Sequence, residues 1–211
     1  MSTVSLALIA RNAADTLGPA IDSIKDHVDE IVIVLGGKST DDTENVARRY
    51  TDKVFPFKWC DDFSAARQFS FAQCTPDWIF WIDSDDLVVG AEHFREVVAE
   101  AEEKGLGAVI LRYAYQKDDN GNVLTEHNQT RLLRRDLNWF WGCPCMKHAG
   151  RVHEVCMTEA QHTRGESDKL YVDHTRRGGE HLVRNMRLME LMQKENPSCP
   201  QIGRASCRER V

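Results

Sequence analysis

Asp77-Trp-Ile-Phe-Trp-Ile-Asp-Ser-Asp-Asp86 runs five large apolar residues into three carboxylates within four positions. The apolar run is too short for a helix and does not alternate, so it reads as a strand covered on both faces. Such strands lie in the middle of mostly parallel sheets. Asp83, Asp85 and Asp86 then stand at the carboxyl end of that strand, where open α/β sheets bind their ligands. Three negative charges in one turn are unfavourable unless a cation joins them. On its own, such a loop also serves to cap the next helix.

Working outward, Thr3 to Ile9 and Glu30 to Gly36 read as further buried strands. Between them Leu17, Ile21, Ile24 and Val28 have helical spacing, with Asp15 as N-cap and Pro19 harmless in the first turn. Ser39 with Asp42 predicts a capping box opening a helix that ends near Arg48 and Arg49. A short strand over Val54 to Phe57 and a helix over Phe63 to Cys74 lead into the central strand, and a helix at Ala91 to Lys104 and a strand at Ala108 to Tyr115 follow it. This rhythm predicts a doubly wound α/β layer over residues 1 to 110. Asp118 to Asn122 is a hairpin signal, and the runs around Gln129 to Leu133 and Arg151 to Cys156 read as antiparallel additions. An amphipathic helix over Glu180 to Glu195 closes the pattern at Asn196-Pro197.

The 211 residues are 42% hydrophobic and 28% charged, the balance of a globular chain with one sizeable core. Residues 1 to 105 carry 10 basic and 20 acidic side chains, whereas residues 106 to 211 carry 17 and 13. That asymmetry argues against a nucleic-acid surface and suits a cleft where a cation meets an anionic ligand. No apolar run approaches the roughly 18 residues of a membrane span, and Met1 to Ala10 lacks a signal peptide's basic start. Seven cysteines without an export signal read as reduced thiols, so a cytoplasmic location is expected.

The motifs, taken in order, are Val4 to Asn12, Asp29-Glu-Ile-Val-Ile-Val34, Ser39-Thr-Asp-Asp-Thr43, Trp59 with Asp61-Asp-Phe-Ser-Ala-Ala-Arg67, the central Asp77 to Asp86, and Val152-His-Glu154. Together they resemble a family 2 glycosyltransferase of GT-A fold, of the bacterial type often followed by tetratricopeptide-like repeats. The resemblance implies a Rossmann-like, mostly parallel sheet with antiparallel additions and a C-terminal helix. It also implies a nucleoside diphosphate sugar donor held through Mn²⁺ or Mg²⁺, and a saccharide, lipid-linked or protein acceptor. In this reading Asp83 faces the donor ribose and metal waters, Asp85 coordinates the metal, and His174 is a late metal ligand that suits Mn²⁺. Arg67 pairs with the diphosphate or the acidic turn, Ala10, Arg11 and Asn12 hold the nucleoside, and Glu154 is the general base of an inverting transfer.

The chain departs from the pattern at Leu35-Gly36-Gly37-Lys38, where relatives commonly end the second strand with an Asp that contacts the base. Lys38 is then expected to reach a phosphate, and a catalytically degenerate donor-binding or scaffold domain stands as the rival. A sugar-phosphate nucleotidyltransferase is less favoured, because Ala10-Arg-Asn-Ala-Ala14 is no Gly-rich phosphate loop. Cys143, Cys145, His148, His153 and Cys156 are dense enough to raise zinc, at spacings that match no common finger. Met186, Met189 and Met192 read as a packing face. The expected division is a catalytic domain over 1–178, a helix over 179–198, and a non-native or disordered tail over 199–211.

Overall fold

In the computed structural model of the protein, residues 2–118, 120–143, 150–152, 154–175 and 180–197 are described, residues 180–182 by their backbone alone. Strands β1 (Val4–Ala10), β2 (Glu30–Gly36), β3 (Val54–Phe57) and β4 (Trp78–Trp81) run parallel, in the order β3, β2, β1, β4. Helices α1 (Leu17–Asp22), α2 (Thr43–Arg48) and α3 (Phe63–Ala72) make the crossovers. β4 is buried at all four positions, and its alternating side chains feed two cores. Trp78 and Phe80 join Leu6, Leu8, Leu17 and Ile21 on one face, while Ile79 and Trp81 meet Phe71, Trp139 and Trp141 on the other. An apolar run without alternation is what such a two-sided strand requires.

Beyond β4 the sheet becomes mixed. β5 (Asp86–Val89) leads to α4 (Phe94–Glu103), then to β6 (Ala108–Lys117) and β7 (Val123–Arg134). β7 inserts between β4 and β6, antiparallel to both. β10 (Arg164–His174) lies parallel to β6 and closes on β5 in antiparallel register, with His174 opposite Asp86. β8 (Phe140–Gly142) and β9 (Val155–Met157) form a separate two-stranded sheet, and α5 (Glu180–Glu195) follows. The run around Gln129 to Leu133 therefore belongs to the main sheet, and only the segment near Cys156 is an addition outside it.

Local signals misplace some ends. Thr16 occupies the cap position of α1 without a side-chain bond, and a 3-10 turn over Lys25–His27 replaces the last expected turn. Ser39 and Asp42 form no capping box. Instead Asp41 Oδ1 accepts from the Thr43 amide at 3.1 Å and the Thr43 hydroxyl at 2.5 Å, while Ser39 Oγ accepts from the Asn12 amide at 3.2 Å. A carboxylate two residues nearer the helix than Ser39 thus satisfies the exposed donor and releases Ser39 to tie two strand-end loops together.

Candidate active site

Parallel β1, β2 and β4 present their carboxyl ends along one edge, which gathers Ala10 to Asn12, Lys38 and Asp83. Ala10 is buried and has no polar side chain, so it offers only backbone there. Asn12 takes a positive φ of 49°, and its Oδ1 accepts from the Thr40 amide at 2.9 Å, so its side chain builds the rim. Arg11 and Lys38 are exposed beside it.

Arg67 occupies the floor. Asp62 caps α3 by accepting from the Ala65 amide at 3.1 Å, and the guanidinium one turn further on lies over Trp81 at 4.6 Å and Trp141 at 5.1 Å. Its Nη2 donates to Asp83 at 2.7 Å and its Nε to Glu154 at 2.5 Å. Burial opposes the charge of Arg67, but the two carboxylates outweigh it and hold the group firmly protonated. Burial likewise pushes Asp83 up, and the charges of Arg67 and Arg131 overcome it, keeping that carboxyl below its ordinary range. The segment bearing Glu154 is fastened to the same helix, since Phe63 and Ser64 amides donate to the Arg151 and Gly150 carbonyls.

Asp85, Asp86 and His174 form the second half, with one ligand atom from each lying within 4.8 Å of the others. Asp86 is fully buried. Its Oδ2 accepts from the Asp83 amide at 3.0 Å, and its Oδ1 accepts from the Tyr113 hydroxyl at 2.9 Å and sits 3.1 Å from His174 Nδ1. Burial lowers the basicity of His174, yet the hydrogen bond to Asp86 and the charges of Asp85, Asp86 and Asp83 raise it above its ordinary value. Burial and the neighbouring carboxylates keep the Tyr113 phenol protonated and able to donate. Asp86 as a hub, Tyr113 and Arg131 were not singled out from the sequence. A Tyr and an Arg on ordinary strands carry no local signal of a shared carboxylate 27 and 45 residues away.

Comparison with known proteins decides the family. The model of glycosyl transferase family 2 matches residues 5–163. The chain belongs to glycosyl transferase family 2. Its fold is of the GT-A class. A TPR repeat-containing protein of Synechococcus elongatus is 35% identical over 177 residues, covering 71% of this chain and 43% of that protein. The lipopolysaccharide core biosynthesis glycosyltransferase LpsC of Rhizobium meliloti is 30% identical, covering 63% of this chain and 51% of its own. This family 2 chain thus spans about half the length of the curated relatives it matches, or less. Staphylococcus aureus TarS 1-349, solved in complex with UDP-GlcNAc, superposes with a TM-score of 0.59 at 17% identity, over 94% of this chain and 67% of that one.

Of the zinc-spaced group, Cys145, His148 and His153 lie outside the described residues, as does the whole tail expected over 199–211. Cys156 is buried, and burial pushes its thiol well up, so it is a poor nucleophile or ligand as it stands. Among the described residues no helix is long and apolar enough to cross a membrane.

Proposed function

We propose that this family 2 enzyme moves a sugar from a nucleoside diphosphate donor to an acceptor hydroxyl with inversion, using Mn²⁺ or Mg²⁺ held by Asp85 and His174. The observation that carries the reading is one unbroken chain of contacts, from Glu154 through Arg67 to Asp83 and on through Asp86 to His174. A carboxylate and an imidazole fit Mn²⁺ well, and the His174 ring lies with Nδ1 3.1 Å from Asp86 and 3.9 Å from Asp85. The bound ion would neutralise charge developing on the leaving diphosphate. TarS was solved with UDP-GlcNAc, so a uridine donor is the first to test. Residues 1–178 are taken as the catalytic unit, 179–198 as an appended helix and 199–211 as lying outside it.

Glu154 takes the proton of the acceptor hydroxyl as its oxygen bonds to the sugar carbon and the bond to the diphosphate breaks. Its contact with Arg67 fixes the direction in which this carboxylate is presented. Arg11, Asn12 and the backbone of Ala10 line the nucleoside end, and Lys38 reaches toward phosphate. The deciding experiment is calorimetry of UDP binding with Mn²⁺ and with chelator, for native protein and Asp85→Asn. Native affinity with Mn²⁺ should exceed the other three by at least about 10-fold. Equal affinity in all four sinks the cation-bridge reading.

A further inference from the structure

Arg131 is fully buried on β7, with no exposed side-chain area, and lies between two rings, 3.8 Å from the Trp81 centroid and 4.5 Å from that of Tyr113. Its Nη1 donates to the Trp81 carbonyl at 3.3 Å. Its Nη2 is 3.3 Å from Asp86 Oδ2 but is not aligned for a hydrogen bond, and among the described residues its Nε likewise has no hydrogen-bond partner. A guanidinium kept only for stability should have its donors satisfied, because a buried charge with unmet donors costs more than an apolar side chain of similar volume. Its rings fix its position, and its charge faces Asp86 in direct contact and Asp83 through space. Asp86 touches His174, Tyr113 and the amide of Asp83.

We infer that Arg131 is a positioning residue, which holds Asp86 as a fixed acceptor so that Asp86 orients the His174 ring toward the cation and anchors the Asp83 turn. The inference rests on the proposed cation at Asp85 and His174. It reassigns the third carboxylate of the Asp83 to Asp86 run: Asp86 is spent on Arg131, Tyr113 and a backbone amide, and serves the ligands instead of being one. Outer partners of this kind, which set the tautomer and direction of a ligating histidine, typically change metal affinity 10- to 100-fold.

The test is Mn²⁺ affinity by calorimetry, with a thermal melt of each metal-free protein alongside, for native, Arg131→Lys, Tyr113→Phe, Asp86→Asn and the Arg131→Lys/Asp86→Asn double variant. Arg131→Lys keeps the charge but loses the planar seat between the rings, and Tyr113→Phe removes one hydroxyl, so each should fold. Arg131→Lys is expected to weaken Mn²⁺ about 10-fold and Tyr113→Phe several-fold. The double variant should lose no more than Asp86→Asn alone, since Arg131 acts through that carboxylate. Unchanged Mn²⁺ affinity in Arg131→Lys and Tyr113→Phe, with or without lost stability, overturns the inference. So do additive losses in the double variant. A native chain that binds no Mn²⁺ overturns the cation reading and this inference together, whereas native binding with unaffected variants overturns this one alone.

Discussion

Glu154 is held in position by its ion pair with Arg67. Glu154→Gln keeps size and hydrogen-bonding reach while removing the proton acceptor. Transfer, or slow donor hydrolysis where no acceptor is known, should fall by about 10² to 10⁴, with UDP affinity within a few-fold of native. Parallel losses in turnover, donor binding and melting temperature would make Glu154 structural. Glu30, at the other end of β2, isolates a purely structural carboxylate. Burial opposes its charge, but Lys53, Ser5 and Thr75 outweigh it and bring its pKa down to about 2 from 4.5. A folded value below the ordinary one stabilises at pH above about 4.5 and is lost as pH falls toward 2. Glu30→Gln should therefore cost about 1–2 kcal/mol at pH 7 after allowing for solvent screening, and the gap from native should close between pH 4.5 and 2 in urea titrations.

Among the elements, β5 and β10 connect the acidic turn to His174 through a four-residue ladder, Val89 opposite Tyr171 to Asp86 opposite His174. Gly90 ends β5 at a φ of +82°, and a Cβ there would meet the Lys169 carbonyl at 2.5 Å. Gly90→Ala should cost at least about 2 kcal/mol, read as a lower urea midpoint at unchanged slope, and should weaken Mn²⁺ as the ladder shifts. This ladder was hidden in the sequence. Arg164 to His174 alternates charged and small residues through most of its length, and its apolar positions Leu170 and Val172 come too late to announce a strand. β1, β2 and β4 were legible because burial on both faces leaves unbroken apolar runs. The insertion of β7 between β4 and β6 was not, since strand order depends on partners far away in sequence. Asp83 and Asp85 stood out by local charge density, whereas Arg131, in Thr-Arg-Leu-Leu-Arg-Arg135, looks like one more solvated arginine.

Over the whole molecule, the two halves of the site hang on different supports. The cation half is built into the main sheet, while Arg67 and Glu154 depend on α3 and the 150–154 segment, and α5 braces both. Leu188, Met189 and Met192 are buried against Val152 and Phe63, Arg151 pairs with Glu195 at 2.7 Å, and Arg187 with Asp61 just before α3. The expected methionine packing face is thus met by Met189 and Met192, with Met186 left exposed. Because Leu188 is completely buried, Leu188→Ala should cost about 2–5 kcal/mol. For a chain of this size that lowers the melting temperature by roughly 4–20 °C. The brace also predicts an asymmetry between functions. Below the transition, Leu188→Ala should reduce transfer through loosened Arg67 and Glu154, yet leave Mn²⁺ affinity at Asp85 and His174 within about two-fold of native, since β5 and β10 of the main sheet hold those ligands. Calorimetry and a transfer assay on one protein sample, at a temperature where both forms are folded, measure the two together. Equal losses in both would mean that α5 supports the sheet as a whole and not one side of the cleft.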